Sequence, residues 1–109
     1  MKKILNSYGL DQKEQYNILN NAPEKLSKHI GETFQVKAWA LTETVDDDGV
    51  VSNGFTFVTP DGEYYGTGGK AFCEGIQTFL GVFAPEELTA VTVGVKTSRA
   101  GRDYLVFIA

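Results

Sequence analysis

Polar and apolar residues change period several times along this chain, and each change marks an element. In DQKEQYNILN, residues 11–20, Asp11 stands where a helix N-cap belongs and Glu14 follows three residues later, the pairing of a capping box. Gln15, Ile18 and Leu19 then form a short helical face, closed by Asn20-Asn21. APEKLSKHIG predicts a second short helix, with Pro23 in its first turn, Leu26 and Ile30 on one side and Gly31 just past its end. Both are too short to be stable alone, so they must pack on something larger.

From residue 32 the period becomes two. ETFQVKAWALTETV predicts a strand with Phe34, Val36, Ala38 and Ala40 on one face and Gln35, Lys37, Trp39 and Leu41 on the other. DDDG at 46–49 is a hairpin turn in which Gly49 supplies a positive φ. VSNGFTFVT is the second strand, Pro60-Asp61-Gly62 another turn, and EYYGT a short third strand. GGKAFCEGIQTFLGVF is helical in pattern, with Phe72, Ile76, Phe79, Leu80 and Phe83 at three- and four-residue spacing. LTAVTVGVKTS and RDYLVFIA alternate again around an Ala100-Gly101 turn.

Three strands, a helix and two strands predict a mainly β chain: a five-stranded OB-fold barrel with a helix between strands 3 and 4, preceded by a short helical N-terminal extension. The boundary falls near Gly31, dividing an extension of residues 1–30 from a barrel of residues 31–109. Barrels of this kind bind oligonucleotides or oligosaccharides on strands 2 and 3 and the flanking loops. An open α+β sheet is the alternative.

The length of 109 residues suits one domain. There is no apolar run long enough for a membrane span, and the N-terminal MKKIL run breaks at Asn6 and Ser7, so neither a signal peptide nor a membrane partner is expected. A single cysteine, Cys73, fits a reducing compartment, and the expected location is the cytoplasm of a bacterial host. The net charge of −4 hides a segregation. Eight acids between Asp46 and Glu87 face Lys70 alone, whereas Lys96, Arg99 and Arg102 face only Asp103 from Leu88 onward.

The chemistry of these residues excludes more than it admits. GTGGK at 66–70 has Tyr64 and Ala71 where a phosphate-binding P-loop needs glycine and Ser or Thr, and Asp46–Asp48 lack the ligand spacing of a calcium loop. His29 and Cys73 are each alone, which leaves no metal set and no nucleophile–base pair. No cofactor, metal or enzymatic activity is expected. What stands out is a set of cations and aromatics. Lys37 and Trp39 share the outward face of the first barrel strand. Lys96 points away from Val91, Val93 and Val95, and Arg99 and Arg102 straddle the last hairpin with Tyr104 beyond. One of Tyr64 and Tyr65 must face away from the core, and Lys70 opens the helix. Cations for phosphates beside aromatics for bases are what single strands require.

The run from DDDG through TPDGEYYGTGGKAF to TSRAGRDYLVFIA resembles small single-stranded DNA-binding proteins carried by phages and conjugative elements of Gram-positive bacteria. That family has a D-x-D-G-like hairpin, a DGExYGT strand and a closing T-S-K/R-A-G-R-D/E-Y/F hairpin in this order, and the likeness covers about residues 12–109. It implies an OB-fold that coats single-stranded DNA during replication or transfer. It also implies Arg99 and Arg102 from the closing hairpin, Tyr65 from the middle strand and Trp39 from the first. The full expected set is Lys37, Trp39, Tyr65, Lys70, Lys96, Arg99, Arg102 and Tyr104, the ligand single-stranded DNA or RNA, with self-association through the N-terminal segment. The rival reading is an acidic interaction module that blocks a host nucleic-acid-processing protein, motivated by the acids between residues 46 and 87.

Overall fold

A computed structural model describes all residues, Met1–Ala109. Its eight strands and two α-helices run β1 (Lys2–Tyr8), α1 (Gln12–Asn20), β2 (Glu24–Lys25), β3 (Thr33–Gln35), β4 (Ala38–Val45), β5 (Val51–Val58), β6 (Tyr64–Thr67), α2 (Lys70–Val82), β7 (Ala90–Thr97) and β8 (Asp103–Ile108). Short 3-10 turns cover Leu26–Lys28 and Pro85–Glu87. The strands form two sheets, one of five strands in the order β1-β4-β5-β6-β2 and one of three in the order β3-β7-β8. Neither closes on itself, which corrects the expected five-stranded barrel.

The correction has a local cause. The long strand expected over residues 32–45 is two strands, broken at Val36-Lys37. The Val36 N–H donates to the Thr89 carbonyl at 2.9 Å, toward β7, while the next N–H, of Lys37, donates to the Val58 carbonyl of β5 at 2.8 Å. The chain changes sheets at this corner, and the alternation slips by one. Phe34 and Val36 before the bend and Trp39 and Leu41 after it all serve the main core. Ala38 and Ala40 turn to the opposite face, where Ile18 of α1 and Val58 meet them. Both faces of β4 are therefore covered, and Ala38, Trp39, Ala40 and Leu41 are buried in succession.

The N-terminal segment is not a helical extension. Residues 2–8 form β1, antiparallel to β4, with a bulge at Leu5 between the Ile4 and Asn6 pairings. α1 is the helix expected over 11–20, and its capping box is complete: Glu14 N–H donates to Asp11 Oδ1 at 2.7 Å, and Asp11 N–H to Glu14 Oε1 at 3.1 Å. Residues 22–31 are not helical as expected. They supply the two-residue β2 and a 3-10 turn that drops Leu26 into the core while Ile30 stays outside. β2 lies parallel to β6, pairing Glu24 with Tyr65 and Lys25 with Gly66. It takes the side of β6 that a closing strand of a barrel would need.

α2 packs its Phe72, Cys73 and Ile76 face into the main core with Trp39, Phe55, Phe57, Val91 and Val93. The turns expected around Gly49, Gly62 and Gly101 have those glycines at φ of 81°, 86° and 81°, a region other residues reach only with strain. No helix is long and apolar enough to cross a membrane.

Candidate nucleic-acid interface

The β7–β8 hairpin gathers four of the expected residues. Its tip is a type I turn followed by a left-handed glycine: Gly101 N–H donates to the Ser98 carbonyl at 3.0 Å and Ser98 N–H to the Arg102 carbonyl at 2.8 Å. This geometry extrudes Arg99 and keeps Arg102 at the strand mouth. In the ladder Lys96 stands opposite Tyr104. Val91, Val93, Leu105 and Phe107 face the core, so Lys96 and Tyr104 occupy the outer face, where Tyr104 is 40% exposed. Lys96, Arg99 and Arg102 take part in none of the protein's ion pairs. The one carboxylate nearby, Asp103, accepts a hydrogen bond from Thr97 Oγ1 at 2.7 Å. Three cations and an aromatic thus stand in solvent on one hairpin of an acidic protein.

The other expected residues lie elsewhere. Trp39 does not face outward: the slip at Val36-Lys37 carries it into the core, fully buried, where its Nε1–H donates to the Pro85 carbonyl at 3.2 Å. A base cannot stack on it. Tyr65 is half-buried on the core side, 4.5 Å from the Phe34 ring, 5.7 Å from Phe57 and edge-on to His29 at 5.3 Å. Its open side shares a depression with Asp61 and Glu63, which repel phosphate. Tyr64 is held too, its hydroxyl accepting from Asn17 Nδ2 at 3.2 Å. Lys37 pairs with Glu14 at 3.1 Å, at the end of β7 remote from the tip; the seven residue steps from Ala90 to Thr97 span roughly 23 Å. Lys70 is exposed at the start of α2, on the rim of a depression with Ser52, Asn53 and Glu74.

The sequence reading missed a second feature, on the five-stranded sheet. Where α1 does not cover its outer face, a groove of about 280 Å³ opens over β4, β5 and β6. Lys2 and Lys25 border it, and none of its thirteen lining residues is an acid. The alternation of Thr42 and Thr44 with Leu41 and Glu43, and of Ser52 and Thr56 with Phe55 and Phe57, signals a polar outer face. The lysines come from elements the sequence did not disclose as strands. Burial lowers the Lys2 ammonium below its ordinary value; its Nζ donates to the Ile18 carbonyl at 2.8 Å.

These elements define a two-sheet, mainly β protein with a solvent-facing basic hairpin and a polar groove. Comparison of the chain with models of protein families, with curated proteins and with solved structures finds no match.

Proposed function

We propose that this protein binds single-stranded DNA with little sequence preference and without catalysis, coating it during replication or transfer of a phage or mobile element in a bacterial cytoplasm. The carrying observation is the β7–β8 hairpin, where Lys96, Arg99 and Arg102 stand free of ion pairs and Lys96 lies across the ladder from Tyr104. Phosphates meet the cations, and an unpaired base stacks on Tyr104, a ring that a duplex, with its bases already stacked, cannot use. The net charge of −4 opposes indiscriminate attraction of polyanions and leaves binding to this local field. Trp39 and Tyr65 have no part in it.

The test is fluorescence anisotropy of labelled oligo-dT across a salt series, with duplex of equal length and oligo-rU as competitors. Binding weakens with salt, and Arg99→Ala/Arg102→Ala lowers the magnitude of the log–log slope by about 1.4, two single-strand phosphate contacts at about 0.7 each. Tyr104→Ala weakens binding by about 1–3 kcal/mol. An unchanged slope in the double variant removes the hairpin from the interface. A wild-type protein with no affinity for either strand rejects the proposal.

A further inference from the structure

The groove on the five-stranded sheet has the features of a built site. Its floor holds two cross-strand pairs, Thr42 with Gly54 and Thr56 with Gly66, set diagonally across β4, β5 and β6. In each pair the absent glycine side chain leaves the threonine hydroxyl uncovered. A Cβ on Gly54 would lie 3.0 Å from Thr42 Oγ1, and one on Gly66 would lie 2.9 Å from Thr56 Oγ1. The two threonines are 3% and 4% exposed and line the groove, yet neither hydroxyl is bonded to another group of the protein. Both hydroxyls therefore open on the same groove with their hydrogen-bonding capacity free for water or a ligand.

The charge around them says what kind. Lys2 and Lys25 border the groove, neither belongs to an ion pair, and no carboxylate lines it in a protein with fourteen acids. Lys25 is held there by the pairing of β2 with Gly66, and Lys2 by the pairing of β1 with Thr44. Gly66 is needed twice over, because its Cβ would also strike Pro23 Cγ and the Phe55 carbonyl, each at 2.8 Å. The volume of about 280 Å³ is near the lower end for small-ligand pockets, and Ser52, Asn53 and Gly68 continue the groove toward Lys70.

We propose that this groove is a binding site for a phosphate-bearing ligand, held by the ammonium groups of Lys2 and Lys25 and by the hydroxyls of Thr42 and Thr56. The ligand is either the sugar–phosphate backbone of a nucleic-acid strand or a free phosphorylated small molecule. The proposal does not depend on the hairpin.

Pyrophosphate is the probe, titrated into ¹⁵N-labelled full-length protein at constant ionic strength. Saturable shifts are expected at the amides of Thr42, Thr56 and Gly66. Lys25→Ala, an exposed position that leaves the core intact, weakens binding about tenfold or more, the effect of losing one charge-assisted hydrogen bond. Thr42→Val/Thr56→Val does the same while keeping side-chain shape, with the melting curve as a check on folding. Displacement of pyrophosphate by oligo-dT assigns the groove to a strand; retention of pyrophosphate assigns it to a free phosphorylated ligand. No saturable shift at these amides, or shifts indifferent to Lys25→Ala, overturns the proposal. Arg99→Ala/Arg102→Ala leaves pyrophosphate binding unchanged, so failure of the hairpin reading and failure of this one are read separately.

Discussion

Trp39 is the single tryptophan, and its surroundings decide how the protein reports on itself. Fully buried beside Phe55, with its indole N–H on the Pro85 carbonyl, it emits from an apolar site, and oligo-dT leaves that emission unquenched. Trp39→Ala opens a large cavity and costs about 3–5 kcal/mol, measured by denaturant unfolding. Gly66→Ala meets backbone at 2.8 Å rather than a yielding side-chain tip, and destabilises by about 1–3 kcal/mol. Cys73 carries a pH signature. Burial, then the neighbouring Glu74 charge, push its thiol up from 9.0 to about 11. The unfolded thiol ionises near 9.0 while the folded one keeps its proton, so its contribution to stability is whole below pH 9 and is lost as pH rises toward 11. Melting curves across that window therefore fall less steeply for Cys73→Ala than for the parent chain. The same thiol resists alkylation at neutral pH until the protein is unfolded.

Elements whose signals are local were legible. Asp11 and Glu14 announce α1 because a capping box lies within four residues, and Asp11→Ala is expected to cost about 1 kcal/mol, read from thermal or urea unfolding. Gly49, Gly62 and Gly101 announce their turns because a positive φ excludes most other residues. The strands that failed to show had no such signals. KKILNSY forms β1 at a sheet edge with only Lys2 and Ile4 half-buried, and its bulge at Leu5 breaks the alternation that identifies strands. EK forms β2 through two backbone pairings to β6, which no side-chain pattern encodes. The corner at Val36-Lys37 was hidden for another reason. Neither glycine nor proline marks it, and both faces of the following strand are apolar, so an alternation slipped by one still reads as unbroken. That slip inverted the faces of Ala38, Trp39, Ala40 and Leu41 and assigned Trp39 to solvent. The closing hairpin escaped the error because its register is set by its own turn.

Across the whole molecule, charge was readable along the sequence but not over the surface. The excess of cations after Leu88 falls on the closing hairpin, where Lys96, Arg99 and Arg102 are exposed. The groove between Lys2 and Lys25 needed β1 and β2 to be placed first, because the residues that compose it lie in five separate stretches of chain. The fold class failed at the same level: with β2 on the outer side of β6, the five-stranded sheet ends where a barrel would continue. The corner at Val36-Lys37 also sets an order of events in time. The β4–β5–β6 meander joins near neighbours in sequence, whereas β3 must wait for β7, with Thr33 bonded to Thr92 across 59 positions. On the ribosome the meander can form while β7 is still unmade, and Phe34 and Val36 stay without their sheet until it arrives. Loop closure over that distance makes the docking of β3 a late step. In stopped-flow refolding, Phe57→Ala slows folding, while Phe34→Ala chiefly speeds unfolding. The residues on either side of one bend are thus separated by most of the folding reaction, though they are adjacent in the chain.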